Sequence, residues 1–282
     1  MTASPHLVST QWLADRLGRP GLAIVDGSWH LPSANRNGHA EYLAAHIPGA
    51  VFFDIDQIAD PASGLPHMLP SPQAFAQAVG ALGIRESDDI VVYDGAGLFS
   101  APRVWWTFRV FGARRVFLLD GGFPAWQREG RPVEAGETVK VPVPFAASLD
   151  GSAVKSAAEV AAALQEGSAV VIDARPADRF RGEAPEPRPG VRSGHMPGSR
   201  NLPFPAVVED GRLASPEKIK AALAAAGVDT AKPLITSCGS GVSAAILALA
   251  LDSVGTPITG LYDGSWAEWG SRQDLPIATG EA

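Results

Sequence analysis

Cys238 is the only cysteine in 282 residues. It lies within Ile235-Thr236-Ser237-Cys238-Gly239-Ser240-Gly241-Val242-Ser243-Ala244. An apolar run (Pro233, Leu234, Ile235) leads into it, and a long Ala-rich apolar run (Ala244 to Leu251) leaves it. This pattern predicts a strand, a tight loop and a helix, with a thiol at the strand's exit. The chemistry on offer is nucleophilic, because a thiolate is the reactive form of cysteine. A loop that opens a helix presents backbone N–H groups with no intrahelical partner, together with the positive end of the helix dipole. Gly239 and Gly241 let successive amides curl around one point. Ser240 and Ser243 add hydroxyl donors, and the Val242 amide completes the turn. The loop therefore reads as a cradle for an anionic sulfur, either a thiolate or a persulfide. The alternative is a buried structural cysteine, which is a common residue. A plain core site has little use for two glycines and two serines.

The elements that must position this thiol are written twice in the chain. Ile24-Val25-Asp26 matches Val171-Ile172-Asp173, and His46-Ile47-Pro48-Gly49-Ala50 matches His195-Met196-Pro197-Gly198-Ser199. Ile90 to Gly95 matches Leu234 to Gly239, and Asp120-Gly121-Gly122 matches Asp263-Gly264-Ser265. Four matches in the same order mark an internal duplication. Each half opens with a Ser-capped helical pattern (Ser9 to Leu17; Ser156 to Leu164). A short apolar strand, the His-x-Pro-Gly turn, a second capped helix (Ser71 to Leu82; Ser215 to Ala226) and the loop strand follow. A helix (Val104 to Phe111; Ala244 to Val254) and a last strand (Val116 to Leu119; Ile258 to Tyr262) complete each half. Strands alternating with helices predict α/β architecture: two tandem domains, each a mainly parallel sheet with helices on both faces. The expected division is residues 1–135, a linker over 136–153 marked by Val141-Pro142-Val143-Pro144, and residues 154–282. Gly182 to Gly190 carries prolines at 185, 187 and 189 and reads as a functional loop. In the first half, Asp94 stands where the second has Cys238, and a carboxylate cannot carry sulfane sulfur.

Composition narrows the function class. Hydrophobic residues make up 46% and charged residues 19% of the chain, as expected of a globular protein with a sizeable core. The net charge of -7 speaks against nucleic acid or an anionic membrane as partner. An anionic substrate would need a local positive site. No stretch of about 18 apolar residues suggests a membrane span, and Met1 to Arg19 lacks the pattern of a signal peptide. A single cysteine leaves no intrachain disulfide and no cysteine-rich metal site. The expectation is a cytoplasmic protein with neither metal nor organic cofactor.

The repeat, the His-Ile-Pro-Gly-Ala turn, Ser100-Ala101-Pro102-Arg103-Val104-Trp105-Trp106, the Asp-Gly-Gly and Asp-Gly-Ser-Trp turns and Cys-Gly-Ser-Gly-Val-Ser together resemble the tandem-domain rhodanese family. The likeness covers nearly the whole chain. It implies an inactive first domain, a catalytic second domain and a Cys238 persulfide. Within that family, thiosulfate-using members carry Arg and Lys directly after the cysteine, and 3-mercaptopyruvate-using members carry Gly-Ser-Gly-Val-Thr. Gly239 and Ser240 fit the second pattern, with Ser243 in place of threonine. The resemblance thus implies sulfur transfer from 3-mercaptopyruvate to a thiophilic acceptor such as cyanide, a small thiol or thioredoxin, with release of pyruvate.

It also implies two arginines that hold the keto-acid carboxylate, matching Arg179 and Arg188. Arginine's planar fork suits a carboxylate beside a carbonyl. The competing reading pairs each with Glu183 or Glu186. His46 is a candidate relay partner of the loop serine Ser240, against the simpler reading that its ring holds its own turn. His195 reads as structural. Trp105, Trp106, Trp126, Trp266 and Trp269 read mostly as core. Three other functions fit parts of the pattern. One is a thiosulfate:cyanide sulfurtransferase and another a non-catalytic sulfur-carrier or binding module. The third, a Cys-x5-Arg phosphatase, lacks its arginine because that position is Ala244.

Overall fold

A computed structural model describes residues 4–281. The chain divides into two compact units that are not contiguous in sequence. One holds the residues up to Asp60, with Leu69–Asp150 and Asp210–Leu213. The other holds Pro61–Met68, Gly151–Glu209 and Ala214 onward.

The first unit runs β1 (Leu7–Val8), α1 (Thr10–Ala14), β2 (Leu22–Asp26), α2 (Gly38–Ala44), β3 (Val51–Phe52) and α3 (Pro72–Ala81). It continues with β4 (Asp89–Tyr93), α4 (Ala101–Val110), β5 (Val116–Leu119) and α5 (Gly122–Arg128). Its strands are all parallel, in the order β1-β5-β4-β2-β3. The chain goes on through β6 (Val154–Lys155), α6 (Ala157–Glu166), β7 (Val170–Asp173), α7 (Ala177–Arg181) and β8 (Arg200–Asn201). Short strands β9 (Val208–Glu209) and β10 (Arg212–Leu213) precede α8 (Pro216–Ala225). Then come β11 (Leu234–Ser237), α9 (Ala244–Ser253), β12 (Gly260–Tyr262) and α10 (Ser265–Trp269). The sheet of the second unit is again parallel, in the order β6-β12-β11-β7-β8. Strand for strand this is the order of the first sheet, so the sequence repeat is a structural repeat.

Local chemistry explains the element starts. Ser71 and Ser215 each accept the N–H three residues on (Ala74, Lys218), and each is followed by proline at the first helical position. Ser156 and Glu159 form a reciprocal capping box at the start of α6. α4 begins at Ala101, a few residues before the expected Val104, because Pro102 in the first turn gives up only an N–H that has no intrahelical acceptor.

One face of each sheet packs an equivalent core. Ile24, Val91, Tyr93 and Trp126 are buried in the first unit; Val171, Ile235, Tyr262 and Trp269 are buried in the second. The helix after each loop is buried on nearly all sides: Ala244 to Leu251 are all buried, as are most residues of α4. Such helices are rigid platforms for the loop that precedes them. The Pro-rich stretch read as a linker lies against the first unit. Val143 N–H donates to Gly80 O at 2.9 Å and Ser148 N–H to Phe111 O at 3.0 Å, and the Phe145 ring meets Phe75 at 5.4 Å. No helix among the described residues is long and apolar enough to cross a membrane.

Candidate active site

β11 is buried throughout and delivers Cys238, 2% exposed, at its C-terminal end. Ligands of open parallel sheets bind at that end of the strands. The loop turns through Gly241 at φ 79°, a left-handed conformation that glycine adopts without steric cost, and enters α9 behind Ser243. Among the described residues, the N–H groups of Gly239, Ser240, Val242 and Ser243 have no protein acceptor. Unpaired donors grouped beside a thiol make an anion cradle.

The first unit shows the same turn already holding an anion. The Asp94 carboxylate accepts N–H donors from Ala96 (2.9 Å), Phe99 (2.8 Å), Ser100 (2.9 Å) and Ala101 (2.8 Å). A side-chain carboxylate thus fills, within its own loop, the kind of place that an anionic sulfur would take in the other.

The expected arginines both reach the thiol loop. A Cβ built on Gly239 would lie 3.4 Å from Arg179 Nη2 and 3.9 Å from Arg188 Nη1. Both guanidinium groups therefore lie close to Gly239, the residue that follows Cys238. Arg179 sits in α7 and is gripped by Glu186 through both Nε and Nη2. Glu186 also accepts from Arg175 Nη1 at 2.8 Å, and its side chain is 3% exposed. Arg175 in turn lies against Asp173 (Nη2 to Oδ2, 2.7 Å), donates to Gly194 O at 2.8 Å and stacks 4.2 Å over the Trp266 ring. The pairing of Arg179 with Glu186 and its closeness to Gly239 hold together: the acid orients the cation and leaves it facing the loop. Arg181 pairs with Glu183 near the surface.

Ser240 is buried, and its Oγ lies 3.0 Å from His67 Nδ1, with the Ser240 carbonyl at 3.3 Å from the same nitrogen. With the proton on Nδ1 the ring donates to both; with it on Nε2, Nδ1 accepts the serine hydroxyl. The histidine beside the loop serine is therefore His67 and not the expected His46. His67 lies in Ser63-Gly64-Leu65-Pro66-His67-Met68, a stretch with no counterpart in the repeat, and has φ 61°. A buried left-handed histidine between Pro66 and Pro70 is a signal only in three dimensions.

His46 has a different setting in the first unit. Its Nδ1 lies 2.8 Å from Tyr42 O and its Nε2 lies 3.1 Å from Thr138 Oγ1, with the Tyr42 ring stacked at 4.3 Å. Its backbone pairs with Glu134, as that of His195 pairs with Ala278. His195 Nδ1 is likewise 2.9 Å from a carbonyl, that of Phe180. The two histidines of the repeated turn anchor their own units in the same way. Trp126, Trp266 and Trp269 are fully buried, and Trp105 and Trp106 nearly so. No group of three or more His, Cys, Asp or Glu side chains among the described residues is arranged to hold a metal ion.

Comparison with known proteins agrees with this geometry. The family model of the rhodanese-like domain matches twice, over residues 9–129 and 156–272. The chain is 45% identical over 271 residues to a 3-mercaptopyruvate sulfurtransferase of Escherichia coli, covering 96% of each chain. It is 46% identical over 274 residues to a thiosulfate sulfurtransferase of Bos taurus, covering 94% of this chain and 92% of that one. A crystal structure of an Escherichia coli 3-mercaptopyruvate sulfotransferase superposes with a TM-score of 0.86 at 42% identity, covering 93% of this chain and 98% of the other. Two matched copies of one domain, two sheets of identical strand order and one thiol loop lead to a single assignment: the chain belongs to the rhodanese family, as two rhodanese-like domains in tandem.

Proposed function

We propose that this protein is a sulfurtransferase that takes sulfur from 3-mercaptopyruvate onto Cys238 and passes it to a thiophilic acceptor. The observation that carries the reading is the convergence of Arg179 and Arg188 on Gly239, beside the thiol. Two guanidinium groups at that place suit a carboxylate and its adjacent carbonyl.

The reaction divides into two half-steps. The Cys238 thiolate attacks the sulfur of 3-mercaptopyruvate, forming an S–S bond. The C–S bond breaks and its electron pair passes into the enolate of pyruvate. Arg179 and Arg188 hold the carboxylate and the developing enolate oxygen. The proton carried on the transferred sulfur moves to the enolate carbon, with Ser240 and His67 as the path. Pyruvate leaves, and the persulfide anion rests among the amides of Gly239, Ser240, Gly241, Val242 and Ser243. A nucleophile such as cyanide, a small thiol or thioredoxin then attacks the outer sulfur and returns Cys238 as a thiolate. This is covalent catalysis with ping-pong kinetics. The first unit, with Asp94 in the turn, takes no part in sulfur transfer.

The composition of the thiol loop supports the keto acid as donor. Glu186 takes both Arg175 and Arg179, and Asp173 takes Arg175, so these acids fix the guanidinium groups in place. Gly239 and Ser240 add no positive charge to the loop, which suits a monocarboxylate. A thiosulfate dianion asks for more. Thiosulfate use is the competing reading, and the bovine relative is the observation on its side. Parallel assays of pyruvate release from 3-mercaptopyruvate and thiocyanate formation from thiosulfate decide. A kcat/KM higher for thiosulfate would overturn the choice of donor.

A further inference from the structure

Ser265 is a serine in a left-handed backbone conformation, with φ 50°, and it is fully buried. Such a conformation is unfavourable for any residue with a Cβ. Its repeat mate in the first unit is Gly122, at φ 56°, where the conformation carries no such penalty. What the serine adds is its hydroxyl. Ser265 Oγ accepts the Cys238 N–H at 3.2 Å and donates to Tyr262 O at 2.8 Å. The next two residues also bind the loop: Trp266 N–H donates to Cys238 O and Ala267 N–H to Gly239 O, both at 2.9 Å. Three hydrogen bonds from consecutive residues thus fix the peptide planes on both sides of Cys238 and the one after it.

The first unit is an internal control. Phe123 N–H still donates to Asp94 O at 3.0 Å. Gly122 has no hydroxyl, and Pro124, which stands where Ala267 does, has no N–H. A Cβ on Gly122 would fall 2.6 Å from Asp94 O and 2.7 Å from Gly97 O, so that loop has closed into the space a serine would need. The unit without a thiol lacks two of the three fastenings. The unit with one keeps all three and bears backbone strain at the residue that supplies the first.

We infer that Ser265 is a positioning residue for sulfur transfer: its hydroxyl holds the Cys238 amide so that the following loop amides face the sulfur. This rests on the reading of Cys238 as the sulfur carrier. Ser265, fully buried, acts through the backbone of Cys238.

The test uses the full chain with Ser265→Gly and Ser265→Ala. Glycine relieves the strained backbone and removes the hydroxyl; alanine keeps the strain and removes the hydroxyl. Three quantities are read: the thermal midpoint, kcat and KM for 3-mercaptopyruvate, and the rate at which iodoacetamide alkylates Cys238 at neutral pH. In both variants kcat and the alkylation rate should fall by about tenfold, the scale of one lost hydrogen bond, with KM within about twofold of wild type. The glycine variant should remain the more heat-stable of the two. If both variants keep wild-type kcat and alkylation rate, or if activity falls only in step with the folded fraction, the inference is overturned. The alkylation rate involves no donor. A wild type that fails to use 3-mercaptopyruvate, with variants still slow to alkylate, would sink the proposed substrate and leave the positioning role standing.

Discussion

At the scale of single residues, the chemistry turns on what occupies one turn. In one unit a carboxylate accepts four backbone N–H groups; in the other a thiol stands before amides with no protein acceptor. Cys238 was legible as a candidate from its loop pattern, and Arg179 and Arg188 as candidates only through the family resemblance. His67 was not, because its contact with Ser240 spans 173 positions and its surroundings are not repeated. His46 was the candidate instead because the family resemblance points to a histidine of the first half. Arg188→Ala should raise KM for 3-mercaptopyruvate and lower kcat/KM by roughly 10- to 150-fold, corresponding to about 1.5–3 kcal/mol for a charged hydrogen bond, with little change in thermal midpoint. His67→Ala should lower kcat by about 100-fold or more if the imidazole moves the proton, and a kcat within about twofold of wild type would remove it from the path. Glu186→Gln adds one unit of positive charge beside Gly239. It should shift the ratio of kcat/KM values toward thiosulfate, and a ratio unchanged or shifted the other way would count against the charge argument.

At the scale of elements, the strands and helices that carry the loop were readable from pattern and punctuation. Ser71-Pro72 and Ser215-Pro216 announce equivalent helices, and the apolar runs before Asp94 and Cys238 announce the central strands. The edge strands Val51–Phe52 and Arg200–Asn201 were not readable, since two residues have no period and take their register from the neighbouring strand. Nor could the sequence show that residues 61–68 belong with the second unit, because their partners lie far along the chain, as His67 with Ser240 does. The Asp94 turn makes a prediction at this scale. Asp94→Ala leaves several amides without their acceptor and should destabilise the protein by about 2–4 kcal/mol, since each orphaned buried donor costs ~1–3 kcal/mol. Denaturant midpoints measure this, and a loss below about 0.5 kcal/mol would mean that the carboxylate does not hold the turn.

At the scale of the whole molecule, the duplication places similar frameworks around different chemistry, and the difference extends to buried charge. Asp173 lies against Arg175, whereas its mate Asp26 has no cation in the same place, Ser28 standing there instead. Burial pushes the Asp26 carboxyl up to about 6 from 3.8, against the opposing hydrogen bonds of Ser28 and Tyr93. A carboxyl raised in the fold favours folding while it is protonated. Its contribution is full below pH 3.8 and is lost as the pH rises through about 6, an effect of about 3 kcal/mol. Asp26→Asn should therefore be more stable than wild type at pH 7–8, with the gap closing as the pH falls toward 4. Unfolding curves across that range check this, and a gap that widens toward acid would reverse the sign.

In the proposed reaction, Cys238 carries sulfur taken from 3-mercaptopyruvate. The most direct test is intact-mass measurement of the protein after exposure to 3-mercaptopyruvate without an acceptor, with released pyruvate measured alongside. The wild-type chain should gain one sulfur atom, located on the peptide that contains Cys238, with an equal amount of pyruvate, and Cys238→Ser should gain none. A sulfur adduct on the serine variant, or a wild-type chain that releases pyruvate without gaining sulfur, would contradict the account.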